Sequence, residues 1–177
     1  MTIAQTRLVQ LTYEKSDEWL SVCSVADALI QHIQLPETIE ALKIANRPRA
    51  SSASVQEILL SKALSLGFVD ESKGLFASYK NSRLRPDYFL RLENSTGILF
   101  EVERGKTNQN NMDFLDFWKC HICKHAHYLF LCVPVELRQN DSGKLAGRPY
   151  KTVVSHMQSF FDPSNYTNVR GVVVFGY

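Results

Sequence analysis

Asp87 closes the run Arg85-Pro86-Asp87, and Glu101-Val102-Glu103 begins fourteen positions later. Both segments read as β-strands, with the turn-rich Glu93-Asn94-Ser95-Thr96-Gly97 between them. A hairpin closing near Asn94 and Ser95 brings Asp87 beside Glu101 or Glu103 on the neighbouring strand. Residues two apart on a strand share a face, so Glu101 and Glu103 are expected to project to the same side. Carboxylates gathered on the edge of a small sheet repel and raise each other's pKa. A hard divalent cation is the usual remedy.

Pro86-Asp87 together with Glu101-Val102-Glu103 resembles the active-site motif of the PD-(D/E)XK nuclease superfamily, the restriction-endonuclease-like proteins. Glu103 stands where that family usually has Lys, a departure shared with some type II restriction endonucleases. The next segment is similar as well: Arg104-Gly105-Lys106, an Asn-containing linker, then an aromatic helix with Asp116 and Lys119. The likeness covers residues 54–134. It implies a Mg²⁺-dependent DNA endonuclease, with Mn²⁺ able to substitute, acting on double-stranded DNA. Asp87 and Glu101 are the implied metal ligands, joined by the Val102 carbonyl and, from the helix before the first strand, by Glu57. Glu103 would be a further ligand or a base, and Lys106 and Lys119 are candidates for a displaced catalytic lysine. Arg83, Arg85, Arg104 and Lys119 are expected to meet DNA. A type II restriction endonuclease is the nearest pattern. A junction resolvase or repair nuclease, and a DNA-binding module that has lost catalysis, are the rivals, the last because of Glu103.

Composition sets the frame for these expectations. With 177 residues, 45% hydrophobic and 21% charged, the chain has the makeup of one globular domain with a single core. A net charge of +2 neither demands nor excludes nucleic acid, so the distribution matters more. Arg47, Arg49, Lys80, Arg83, Arg85 and Arg91 crowd around the carboxylate segments, and Arg138, Lys144 and Arg148 form a second basic group. A polar strand face, with the acids paired to Arg85, Arg91 and Arg104, is the plain alternative to a site. No apolar run approaches the ~20 residues that span a bilayer, and the N-terminus lacks a signal-peptide pattern. Reduced thiols at Cys23, Cys120, Cys123 and Cys132 fit a cytoplasmic protein. Cys120, Cys123, His125 and His127 are dense in zinc-ligand types, yet free cysteines packed as small hydrophobes explain them better. No organic cofactor and no membrane are expected. The surplus of aromatics in Phe114, Leu115, Phe117 and Trp118 is compatible with a homodimer.

The elements that must position these residues emerge from periodicity. Apolar spacing predicts helices over 17–33 and 35–45, read with their flanks as an N-terminal helical extension, residues 1–50. The core, residues 51–177, is expected to hold a helix over 54–66 ended by Gly67, then strands over 75–79, 85–92 and 97–104. A helix over 110–121, a buried strand over 126–133, a loop over 135–149, a helix over 150–161 and a buried strand over 169–175 complete it. The expected class is therefore α/β with a restriction-endonuclease-like core, a central mixed β-sheet flanked by helices in the order αβββαβ plus αβ. Tight turns give antiparallel neighbours and helical crossovers parallel ones.

Overall fold

The computed structural model describes the chain except residues 49, 71–73, 78, 80–83, 94, 105–110 and 140. It is an α/β architecture whose central sheet has six strands, with helices on both faces. The chain opens with β1 (Ala4–Val9), then α1 (Asp17–Ile33), α2 (Pro36–Ala45) and α3 (Ser52–Ser65). The strands β2 (Val69–Asp70), β3 (Tyr88–Arg91) and β4 (Gly97–Val102) form an antiparallel meander. Helix α4 (Met112–Ile122) then crosses to β5 (Tyr128–Val133), parallel to β4. A small hairpin of β6 (Leu137–Arg138) and β7 (Leu145–Gly147) precedes α5 (Pro149–Phe160) and β8 (Gly171–Gly176), parallel to β5. The sheet order is β1-β8-β5-β4-β3-β2.

Local chemistry explains the boundaries. Ser16 caps α1 by accepting from the Trp19 amide at 3.1 Å, and Asp17 and Glu18 meet the positive end of the helix. The face of Trp19, Val22, Ala26, Leu29 and Ile33 is buried, as its 3.6-residue period requires. Gly67, at φ +89°, ends α3: its amide donates to the Leu64 carbonyl and that of Phe68 to the Ala63 carbonyl. This Schellman turn needs a left-handed residue and drops Phe68 into the core. Along β4, Ile98, Phe100 and Val102 pack under α1 and α3, whereas Leu99 faces α4 and α5. Glu101 continues the Leu99 face, so alternation along one strand sends its carboxylate toward α4.

Three expectations are corrected. The first fifty residues are not a purely helical extension, because residues 4–9 form edge strand β1, antiparallel to β8 from Ala4↔Gly176 to Val9↔Gly171. Its side chains divide between neighbours, Gln5 and Arg7 reaching α1 at Ala26 and Asp27, Thr6 reaching Tyr150 of α5. A short, half-buried, polar edge strand carries almost no hydrophobic signal. Leu75–Ala77 make a turn rather than a strand, with Phe76 buried under the sheet; the first strand of the meander is the two-residue β2, paired Val69↔Phe89 and Asp70↔Tyr88. The apolar pattern of Leu75, Phe76 and Tyr79 reflects packing against the core rather than strand pairing. The expected loop over 135–149 contains the β6–β7 hairpin.

Candidate functional site

The site begins with a register. Tyr88 pairs with Phe100 and Arg91 with Gly97, which sets Asp87 directly before β3 opposite Glu101 near the end of β4. Gly97 secures that register, since a Cβ there would fall 2.5 Å from the Leu90 carbonyl oxygen and 2.9 Å from that of His125. Each acid accepts from main chain at or beside the other. The Asp87 amide donates to Glu101 Oε2 at 3.3 Å, and the Val102 amide donates to Asp87 Oδ2 at 2.7 Å. Of the two expected partners across the hairpin, Glu101 and Glu103, the register sets Glu101 against Asp87.

Helix α4 supplies the rest. Asp113, Asp116, Phe117 and Cys120 lie at helical spacing on its core-facing stripe, and Lys119 stands beside them. Lys119 Nζ lies 2.5 Å from Glu101 Oε1, 2.8 Å from Asp116 Oδ1 and 3.3 Å from the Arg85 carbonyl oxygen. Asp116 Oδ2 is buried without a hydrogen bond among the described residues, so Lys119 is the one charge that offsets Asp116 there. Asp113 bonds His156 of α5 through Oδ2 at 2.6 Å, while its Oδ1 is buried without a hydrogen bond among the described residues.

Burial and repulsion shape the protonation of these groups. Glu101 is pushed well above the ordinary carboxylate range, first by desolvation and then by the charge of Asp116, against the pull of Lys119. Asp116 is raised by its burial, with Lys119 opposing. Asp87 is raised by desolvation, which outweighs the Val102 amide, the Gln56 side chain and Lys119. Desolvation alone would depress Lys119, yet Glu101 and Asp116 overcome it and hold the ammonium above its ordinary value. Three carboxylates thus share one fixed cation, which leaves the site with excess negative charge when all are ionised.

Of these three acids Asp87 alone lines a cleft, of about 420 Å³, together with Gln56, Glu57, Asp70, Arg85 and Tyr88, while Glu101 and Asp116 are buried behind it. Among the described residues no three His, Cys, Asp or Glu side chains are grouped tightly enough to hold a metal alone. Mg²⁺ does not require that, because one or two carboxylates with substrate phosphate and water satisfy it. Asp87 and Glu101 offer hard oxygens in a region of surplus negative charge, so the donor set fits such an ion. The Val102 main chain adjoins Asp87, and Glu57 is exposed at the mouth of the cleft.

Other expected site residues fall elsewhere. Lys119, expected to touch DNA, is buried, and its ammonium is committed to carboxylates. Arg104 is buried too, and its guanidinium donates to the Ala50 carbonyl at 2.6 Å and to that of Arg47, so it clamps the loop before α3 instead of facing a phosphate. Glu103 lies one residue past β4, its amide bonded to the Cys132 carbonyl and its carbonyl to the Tyr177 hydroxyl. The acid whose charge bears most on Glu101 is Asp116, not Glu103. Arg85 is exposed at the cleft. Arg83 and Lys106 lie outside the described residues. Cys120 and Cys123 are buried in the core, and His127 Nδ1 is 2.6 Å from Thr96 Oγ1.

The sequence motif assigns no role to Asp116, Asp113, Asp70 or His156. For α4 the signal is nevertheless present: three charged residues on or beside the stripe of an amphipathic helix that should be apolar are costly unless paired. A scan against protein-family models finds none that matches this chain, and a search of curated proteins finds no similar sequence.

Proposed function

We propose that this protein is a Mg²⁺-dependent endodeoxyribonuclease with a restriction-endonuclease-like core. The observation that carries the reading is the convergence of Asp87, directly before β3, with Glu101 of β4 and Lys119 of α4, Lys119 Nζ lying 2.5 Å from Glu101 Oε1. An acid pair on adjacent strands with an ammonium beside it is the constellation that the sequence motif implies, its lysine supplied from the helix after β4. The order α3-β2-β3-β4-α4-β5 supports the same reading.

In this scheme Asp87 and Glu101 hold the ion, with the Val102 main chain beside them and Glu57 at the entrance; Mn²⁺ would serve as well. When bound, Mg²⁺ supplies a more acidic water and neutralises charge developing on the phosphate. Lys119 Nζ is held at Glu101 by burial, so its charge is already oriented when substrate arrives. The reaction forms a bond from phosphorus to the water oxygen and breaks one ester bond, the departing alkoxide taking a proton. Arg85, exposed at the same cleft, suits a phosphate next to the scissile one. The finer assignment, a type II restriction endonuclease, rests on the resemblance alone; a homodimer is suggested by the aromatic surplus of Phe114, Phe117 and Trp118, and a cytoplasmic location by the reduced thiols. A junction resolvase would use the same chemistry on branched DNA.

Supercoiled plasmid incubated with the protein and Mg²⁺ tests the reading. Nicked and linear products are expected, and Asp87→Asn should abolish them. Absence of cleavage with Mg²⁺ and Mn²⁺, or undiminished cleavage by Asp87→Asn, overturns it. Discrete fragments point to a restriction enzyme, and selective cutting of four-way junctions to a resolvase.

A further inference from the structure

The sheet brings six chain ends to one edge. Parallel β4, β5 and β8 finish there, at Val102, Val133 and Gly176, antiparallel β1 and β3 start there, at Ala4 and Tyr88, and β2 ends there at Asp70. Ligands of open α/β sheets bind beyond the carboxyl ends of the strands. The acid cleft occupies the β2-β3 end of this edge. At the other end lies a second cleft of about 480 Å³ lined by Lys43, Asn46, Arg47, Glu136, Arg138 and Tyr177.

Three of those residues are cations and one is an acid. Among the described residues Arg47 has no acidic partner, and Arg138 approaches Glu136 only to 3.7 Å. Lys43 pairs with Glu40, but that pair is exposed and readily exchanged for another anion. The cleft is also built and not merely a scatter of surface charge. Buried Arg104 grips the carbonyls of Arg47 and Ala50, Asn46 Nδ2 donates to the Glu136 carbonyl at 3.1 Å, and the Tyr177 hydroxyl donates to the Glu103 carbonyl at 2.8 Å. Residues just past the strand that bears Glu101 therefore fix the segment that presents Arg47.

We propose that this second cleft binds the phosphate backbone of the DNA cut at the acid cleft, an inference that rests on the nuclease reading. From β3 to β8 is three strand steps, roughly 14 Å at about 4.8 Å each. At about 3.4 Å of axis per nucleotide this equals roughly four nucleotides along one strand. The backbone leaves Asp87 and Glu101, passes Glu103 and Tyr177, and meets Lys43, Arg47 and Arg138 about four phosphates from the scissile bond.

Fluorescence anisotropy of labelled duplexes of 4 to 24 base pairs, with Ca²⁺ in place of Mg²⁺ and at several salt concentrations, tests this. For long duplexes the Lys43→Ala/Arg138→Ala double variant should bind about tenfold more weakly. Its log–log salt slope should be shallower by about 1.8, two lost phosphate contacts at about 0.9 each. Arg47→Ala should remove about half of that change in slope. On the four-base-pair duplex the variants and parent should match. If the parent cleaves plasmid while both variants keep its affinity and slope, this inference fails and the nuclease reading stands. If the parent neither binds nor cleaves DNA, both fail. If the variants lose only binding of inorganic phosphate, with duplex affinity unchanged, the cleft takes free phosphate and the inference is overturned.

Discussion

Lys119 of α4 lies 2.5 Å from Glu101 of β4, and both side chains are buried. The pair ties the crossover helix to the strand before it, and it is also the electrostatic centre of the candidate site. Removing one partner of a buried pair leaves an uncompensated charge, which costs about 3–5 kcal/mol. Here the two deletions are unequal. Lys119→Met strands Glu101 with Asp116 and should cost about that much, whereas Glu101→Gln relieves repulsion and leaves Lys119 with Asp116. Urea unfolding should rank Lys119→Met as clearly the less stable. Equal losses would mean that Asp116 does not share the ammonium.

The pH dependence of stability carries a defined sign. Desolvation raises Asp87, Glu101 and Asp116 in the folded chain. A raised acid binds its proton more tightly folded than unfolded, so these groups favour the fold as pH falls from neutral toward the ordinary carboxylate range and weaken it as pH rises. Lys119 is raised as well, and its contribution is complete below its unfolded pKa, hence constant through this window. Glu101→Gln should therefore gain stability relative to the parent as pH rises from about 5 to about 8. Mg²⁺ should stabilise the parent more at the upper end of that range than at the lower. Urea midpoints across the range decide it, and a difference indifferent to pH would sink the idea.

Glu103 and Lys119 are rival holders of the role that the sequence motif gives to Lys. Loss of a preorganised charge beside a reacting phosphate costs roughly 10²–10³-fold in rate. Lys119→Ala should show a loss of that size in single-turnover plasmid cleavage, with Glu103→Ala markedly milder. The reverse ranking would return Glu103 to the centre of the site. Glu103→Lys should also be impaired, because a cation entering near the metal weakens its binding.

Arg85 and Arg104 separate a DNA contact from a structural clamp. Exposed Arg85 stands at the acid cleft, so Arg85→Ala should flatten the salt dependence of DNA binding by about one counterion. Buried Arg104 holds the Arg47 and Ala50 carbonyls, and Arg104→Ala should instead lower the urea midpoint by leaving those acceptors without their donor. A salt slope unchanged by Arg85→Ala would move the DNA surface away from this cleft.

Gly97 tests the register itself. Gly97→Ala puts a methyl against the Leu90 and His125 carbonyl oxygens, which are main chain and yield little. The β3–β4 pairing should shift and separate Asp87 from Glu101, at a stability cost of about 1–3 kcal/mol. Amide hydrogen exchange along Tyr88–Arg91 should accelerate; unchanged protection would show that the hairpin tolerates the methyl.

The amino-acid sequence alone determined the elements with strong periodicity. The helix over 17–33 coincides with α1, and the buried strands β5 and β8 are continuous apolar runs flanked by turns. It also brought Asp87 to the Glu101–Glu103 segment, because a short hairpin with turn chemistry at residues 93–97 leaves few registers, and the β3–β4 register then chose Glu101. The tertiary structure alone decided what joins them. Asp116 and Lys119 reach Glu101 only because the crossover makes β5 parallel to β4 and lays the charged stripe of α4 against it, a contact eighteen residues away from Glu101 in sequence for Lys119. Likewise β1 is a strand only because the edge of β8 offers it unpaired main chain, and Arg104 became a clamp once α2 and α3 packed over the end of β4. Local pattern sets which face of an element is apolar. Which charges then meet is a property of long-range packing, where desolvation and pairing are settled together.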